Sequence, residues 1–105
     1  MPIAASAVNI VYQTDKDKKA YALNLSNWGL VAPSSPVIDS VIRLSDGTNV
    51  KSTVFPSGTP TISGTTITLP LLQALVLGEQ YRVRVTFTDS GNTWEANFLV
   101  DCRTD

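Results

Sequence analysis

From Gln80 onward the chain alternates apolar and polar residues on both sides of one turn, and this limits it to a small set of folds. Tyr81-Arg82-Val83-Arg84-Val85-Thr86-Phe87-Thr88 has a strict period of two. Asp89-Ser90-Gly91-Asn92 is a turn cluster, after which Trp94, Ala96, Phe98 and Val100 resume the period. Two alternating runs joined by a short Gly-containing turn predict an antiparallel β-hairpin with one buried face. Tyr81, Val83, Val85 and Phe87 then belong to the same core as Trp94, Ala96 and Phe98. Arg82 and Arg84 belong to the solvated face.

Upstream the same grammar recurs in shorter pieces. Val8 to Tyr12 alternates weakly and reads as a first strand, followed by a charged turn, Asp15-Lys16-Asp17-Lys18-Lys19. Tyr21, Leu23 and Leu25 line one face of the next strand, with Ala20, Ala22 and Asn24 on the other. Ile38, Ser40, Ile42 and Leu44 mark a strand whose opposite face carries Asp39 and Arg43. Val50, Ser52 and Val54 mark another. Thr61-Ile62, a Ser63-Gly64-Thr65 turn, and Ile67 with Leu69 predict a short hairpin that Pro70 ends. From Leu71 to Leu77 the apolar residues do not alternate, so this stretch reads as a short helical or irregular crossover. Seven to eight short strands, with turns about every 8–12 residues, predict an antiparallel β-sandwich. A Tyr opening a strand just after a Leu/Gly crossover, here Tyr81 after Leu77-Gly78, is where immunoglobulin-like and fibronectin-like sandwiches place a tyrosine corner.

A chain of 105 residues makes one domain with one core. The expected organisation is an N-terminal arm over residues 1–7, a sandwich over 8–102 and a C-terminal tail over 103–105. A net charge of −1 gives no basic face for nucleic acid. The N-terminus lacks the basic start of a signal peptide, and no stretch approaches the ~20 apolar residues of a membrane span. With one cysteine, Cys102, and no histidine, the chain has neither an internal disulfide nor a His-based triad or metal site. Cys102 reads as an inert, half-buried thiol at a strand end, which suits a reducing cytoplasm. Asp15-x-Asp17 opens like a calcium loop but has Ala20 where a Gly is needed and Ser26 where a bidentate Glu is needed. Neither catalysis nor a cofactor is expected. The expected partners exclude nucleic acid, membrane and small-molecule substrates.

Four segments resemble the small immunoglobulin-like virion proteins of tailed bacteriophages. They are Tyr21-Ala22-Leu23-Asn24-Leu25-Ser26-Asn27-Trp28, Val37-Ile38-Asp39-Ser40-Val41-Ile42, Gly64-Thr65-Thr66-Ile67-Thr68, and the closing hairpin after Gly78-Glu79-Gln80-Tyr81. The resemblance spans roughly residues 20 to 101. It departs at the crossover, where Leu71-Leu72-Gln73-Ala74-Leu75 stands in place of the family's usual Gly-rich segment.

The resemblance implies a structural role on the particle. The expected role is a capsid decoration or cement protein that binds the major capsid protein or other virion proteins, as a homo-oligomer, after assembly in the host cytoplasm. Neck or tail components are the alternative within the family. A carbohydrate-binding or adhesive module is the alternative outside it. On this reading Pro2, Ile3, Trp28, Leu71 and Leu72 are the candidate contact residues. Tyr81, Trp94 and Gly78 are the structural ones.

Overall fold

A computed structural model describes residues 10–26 and 29–103. Among these residues the chain runs through strands β1 (Ile10–Gln13), β2 (Lys19–Asn24), β3 (Ser34–Arg43) and β4 (Thr48–Asn49), the helical turn α1 (Lys51–Val54), and strands β5 (Thr61–Ser63), β6 (Thr66–Leu72), β7 (Gln80–Asp89) and β8 (Asn92–Cys102). They form two sheets, one of order β1-β8-β7-β3-β4 and one of order β2-β6-β5, packed as a β-sandwich. The connections β1–β2, β2–β3, β4–β5 (through α1) and β6–β7 each pass from one sheet to the other. Among the described residues, all pairings but one are antiparallel. The short edge strand β1 runs parallel to β8.

The β7–β8 hairpin has the register that the alternation requires. Tyr81 faces Val100, Val83 faces Phe98, Val85 faces Ala96 and Phe87 faces Trp94. All eight are buried, with Val83, Val85 and Val100 fully enclosed. Asp89 pairs with Asn92, so only Ser90 and Gly91 form the loop, both at positive φ (52° and 80°). That backbone is the one whose twist matches a two-residue hairpin, and Gly at the second position suits it. Asp89 also does more than turn the chain. It is 5 % exposed, and its carboxylate accepts the main-chain N–H groups of Ala32 (2.7 Å) and Val31 (3.2 Å), fixing the segment that leads into β3.

The second sheet adds Ile67, Leu69 and Leu72 to the core, with Tyr21 and Leu23 packed against it and Leu25 buried just beyond β2. Gln13 links the two sheets. It is 1 % exposed; its Nε2 donates to the Leu72 carbonyl (2.7 Å) and the Asp17 carbonyl (3.0 Å), and its Oε1 accepts the Tyr21 hydroxyl (2.8 Å). A buried amide is tolerated only when its donors and acceptor are satisfied in this way.

Three local expectations are corrected. Pro70 does not end β6, which continues to Leu72. The β2–β6 register shifts between Ala20 and Ala22, so that Tyr21 opposes an extra residue. β5 pairs only with Thr66–Thr68, leaving Pro70 beside a single neighbour strand. A bulge next to an unpaired edge is where a strand accepts a residue without an N–H. In β3 the predicted row Ile38, Ser40, Ile42, Leu44 is buried at Ile38 and Ser40, half-buried at Ile42 and exposed at Leu44. Ile38 pairs with Val85 and Ser40 with Arg84, leaving Asp39 as the extra residue of a bulge. Val41, fully buried opposite Val83, takes the next core position, while Leu44 is 43 % exposed. Finally, Val50–Val54 is not a strand. Asn49 Oδ1 accepts the N–H groups of both Val41 (3.3 Å) and Lys51 (3.1 Å), a side-chain turn that starts the helical turn α1. The helical turn lets the consecutive residues Val54 and Phe55 both be buried, which strand alternation forbids.

Val85→Ala should lower stability by about 2–3 kcal/mol, from the lost burial of two methyl groups and the cavity they leave. Denaturant unfolding reads this as a lower midpoint at unchanged slope, and an unchanged midpoint would contradict the packing of β7.

Candidate interaction surface

Of the residues that sequence reasoning marks for contact, Pro2, Ile3 and Trp28 lie outside the described residues. Leu71 and Leu72, although adjacent, have opposite fates. Leu71 is 47 % exposed on the outer side of β6 opposite Ala20, whereas Leu72 is fully buried and turned into the core. Leu72 is therefore corrected from contact residue to core residue, because the bulge at Pro70 resets the alternation so that Leu72 faces inward. Trp94 is buried opposite Phe87, next to the hairpin turn.

The crossover after β6 is irregular, as its pattern predicts, but it is firmly braced. The Gln73 N–H donates to the Val54 carbonyl (3.0 Å), and Leu75 is buried. The Val76 N–H donates to the Tyr81 hydroxyl (2.9 Å), and Tyr81 is 1 % exposed. This is the geometry of a tyrosine corner, a buried ring whose hydroxyl holds the main chain a few residues upstream. Burial pushes the Tyr81 phenol above its ordinary range, against the smaller opposing effect of the Val76 N–H.

Val76 to Glu79 then forms a tight turn, with the Glu79 N–H on the Val76 carbonyl (3.1 Å) and Gly78 at φ 86°. A left-handed third residue is what this turn type needs. A Cβ on Gly78 would meet nothing within 4 Å, so conformation rather than crowding selects glycine there. Gly78 N–H on Cys102 O (2.8 Å) and Cys102 N–H on Glu79 O (3.0 Å) attach the turn to the end of β8.

The crossover thus joins Gly78, Tyr81 and Cys102 in one bonded unit and leaves Val76 (51 % exposed) and Leu77 (44 %) in solvent. Sequence reasoning treats Leu71–Leu77 as a single apolar block. The structure divides it into buried Leu72 and Leu75 and exposed Leu71, Val76 and Leu77. Exposed aliphatic side chains on a braced main chain lose little conformational entropy on contact, which favours docking.

Cys102 is fully enclosed rather than half-buried, and burial pushes its thiol above the usual range. Arg103, assigned to the tail by sequence, is tied to the fold. Its N–H donates to the Gln13 carbonyl (3.1 Å) and its guanidinium lies 4.1 Å from the Tyr12 ring centre. No protein-family model and no curated protein sequence matches the chain.

Tyr81→Phe should cost about 1 kcal/mol, because it leaves the Val76 N–H without its acceptor. Amide hydrogen exchange at Val76 and Glu79 should accelerate in that variant while exchange in the middle of the β7–β8 hairpin does not. The Cys102 thiol should react with an aromatic disulfide reagent only at the rate of unfolding. Rapid labelling of the native protein would mean that the end of β8 opens on its own.

Proposed function

We propose that this chain is a non-enzymatic structural protein that works by docking, and that it decorates or cements the head of a tailed-phage particle by binding the major capsid protein. The observation that carries the docking reading is the braced crossover with Val76 and Leu77 exposed on it. Large aliphatic side chains held in solvent at one rim, rather than folded into the core beside Leu75, favour a contact site. The place on the particle rests on the resemblance of four segments to phage immunoglobulin-like virion proteins. In that role each copy needs only a modest contact, because a lattice of identical sites multiplies weak binding.

The test uses purified particles and the full chain. Wild-type protein should co-purify with the head, at a copy number that follows the symmetry of the capsid lattice. Leu77→Asp should reduce occupancy at least about tenfold, since losing roughly 1.4 kcal/mol at one anchor suffices for that, with the melting temperature unchanged. A small ring number at the portal or tail would move the protein to the neck or tail. Absence from particles altogether would overturn the virion reading.

A further inference from the structure

Beside the crossover, at one end of the five-stranded sheet, lies a shallow hollow of about 340 Å3 lined by Leu44, Ser45, Gly78, Glu79, Gln80 and Asp101. Its base is held main chain. The Leu44 N–H donates to the Gln80 carbonyl (2.9 Å), and the two bonds between Gly78–Glu79 and Cys102 hold the other side. Leu44 flanks it directly, and Leu77, the residue before Gly78, is exposed next to it. The charges around it are not evenly spent. Asp46 binds the Arg43 guanidinium through two bonds (2.7 and 3.2 Å), and Arg103 binds Asp101 at 3.0 Å. In both pairs the hydrogen bonds of the guanidinium go to its own carboxylate. Glu79, half-buried in the hollow, forms no ion pair among the described residues.

From this we infer that the hollow receives an arginine or lysine side chain of the partner protein, carried in a segment whose neighbouring residues are aliphatic. The inference rests on the docking reading above and names the chemistry of the partner's contact segment. The Arg43 guanidinium is near enough for Glu79 to favour its charge, but both of its bonds go to Asp46. A carboxylate without a contact ion pair, set between exposed leucines, is complementary to a cation on an apolar stem. Arginine suits it best, since its planar guanidinium can bond the carboxylate while its methylenes lie along the leucines. Charge at the centre of such a contact sets which segment fits more than how tightly it holds. An acidic segment would place like charges together.

The test is a titration of the 15N-labelled full chain with blocked five-residue peptides, Ser-Leu-Arg-Leu-Ser against Ser-Leu-Glu-Leu-Ser, followed by amide shifts. The arginine peptide should move the amides of Leu44, Gly78, Glu79, Gln80 and Asp101 and bind at least about tenfold tighter than the glutamate peptide. Glu79→Gln should remove that preference, and Glu79→Arg should reverse it, with both variants keeping the wild-type spectrum elsewhere. Absence of shifts at the hollow, or a preference untouched by either variant, would overturn the inference. Concentration-dependent dimerisation that Glu79→Arg abolishes would put a second copy there instead, and also overturn it. The particle assay separates this proposal from the virion reading. Wild-type protein on particles with no peptide effect at the hollow refutes the hollow alone. Peptide binding at the hollow with no protein on particles refutes the virion reading alone.

Discussion

The cross-strand register of the β7–β8 hairpin is the constraint from which the rest of the sandwich is built. Each inward residue of one strand meets an inward residue of the other, from Tyr81 with Val100 to Phe87 with Trp94. A slip of one residue would turn all of these side chains to solvent. The large sheet grows from its two outer edges, β3 on β7 with β4 beyond it, and β1 on β8. The smaller sheet packs over the face that the hairpin makes apolar, adding Ile67, Leu69 and Leu72 to the core.

Two polar devices hold the ends of this assembly where apolar packing cannot. Tyr81 presents its ring to the core and its hydroxyl to the crossover, so the strand that begins the hairpin also sets the path of the chain leading into it. Gln13 does the corresponding work between the sheets, reaching from β1 to the Leu72 carbonyl and the Tyr21 hydroxyl. Buried hydrogen bonds of this kind add modest net stability but penalise any arrangement that leaves them unmade. They favour one arrangement of sheets and loops over its near neighbours. The exposed crossover turn and the Glu79 hollow are consequences of the same bracing, because the bonds that hold Val76 and Gly78 leave their neighbours' side chains facing out.

The hairpin, the inward row Tyr21, Leu23 and Leu25, and the short Thr61–Leu69 pair are legible in the residues because each obeys the two-residue period throughout. Legibility fails where a bulge interrupts that period. In β3 the pattern Ile38, Ser40, Ile42 is a plausible alternation, yet Asp39 is an extra residue and Val41 becomes core. In β6 Pro70 looks like a terminator but sits at a register shift that accepts it. Bulges depend on how the opposing strand is aligned, and one strand's sequence does not contain that alignment. The candidate surface is only half legible for the same reason. An apolar, non-alternating Leu71–Leu77 reads as a crossover, but which of its side chains face outward depends on the bulge before it and the tyrosine after it.

Local sequence by itself therefore determined the class of fold and its central hairpin, since alternation and turn chemistry act between residues close in the chain and need no knowledge of partners. It also determined that these 105 residues, with no histidine and one cysteine, hold no internal disulfide and no histidine-based chemistry. Tertiary structure alone decided the sheet order, the parallel seating of β1 on β8, the conversion of Val50–Val54 from strand to helical turn, and the roles of Gln13 and Asp89. Each of those rests on contacts between residues distant in sequence: Gln13 with Leu72, Asp89 with Ala32, Asn49 with Val41. That Glu79 forms no contact ion pair among the described residues belongs to the same class, because which carboxylates meet a cation is settled by where the folded chain sets them.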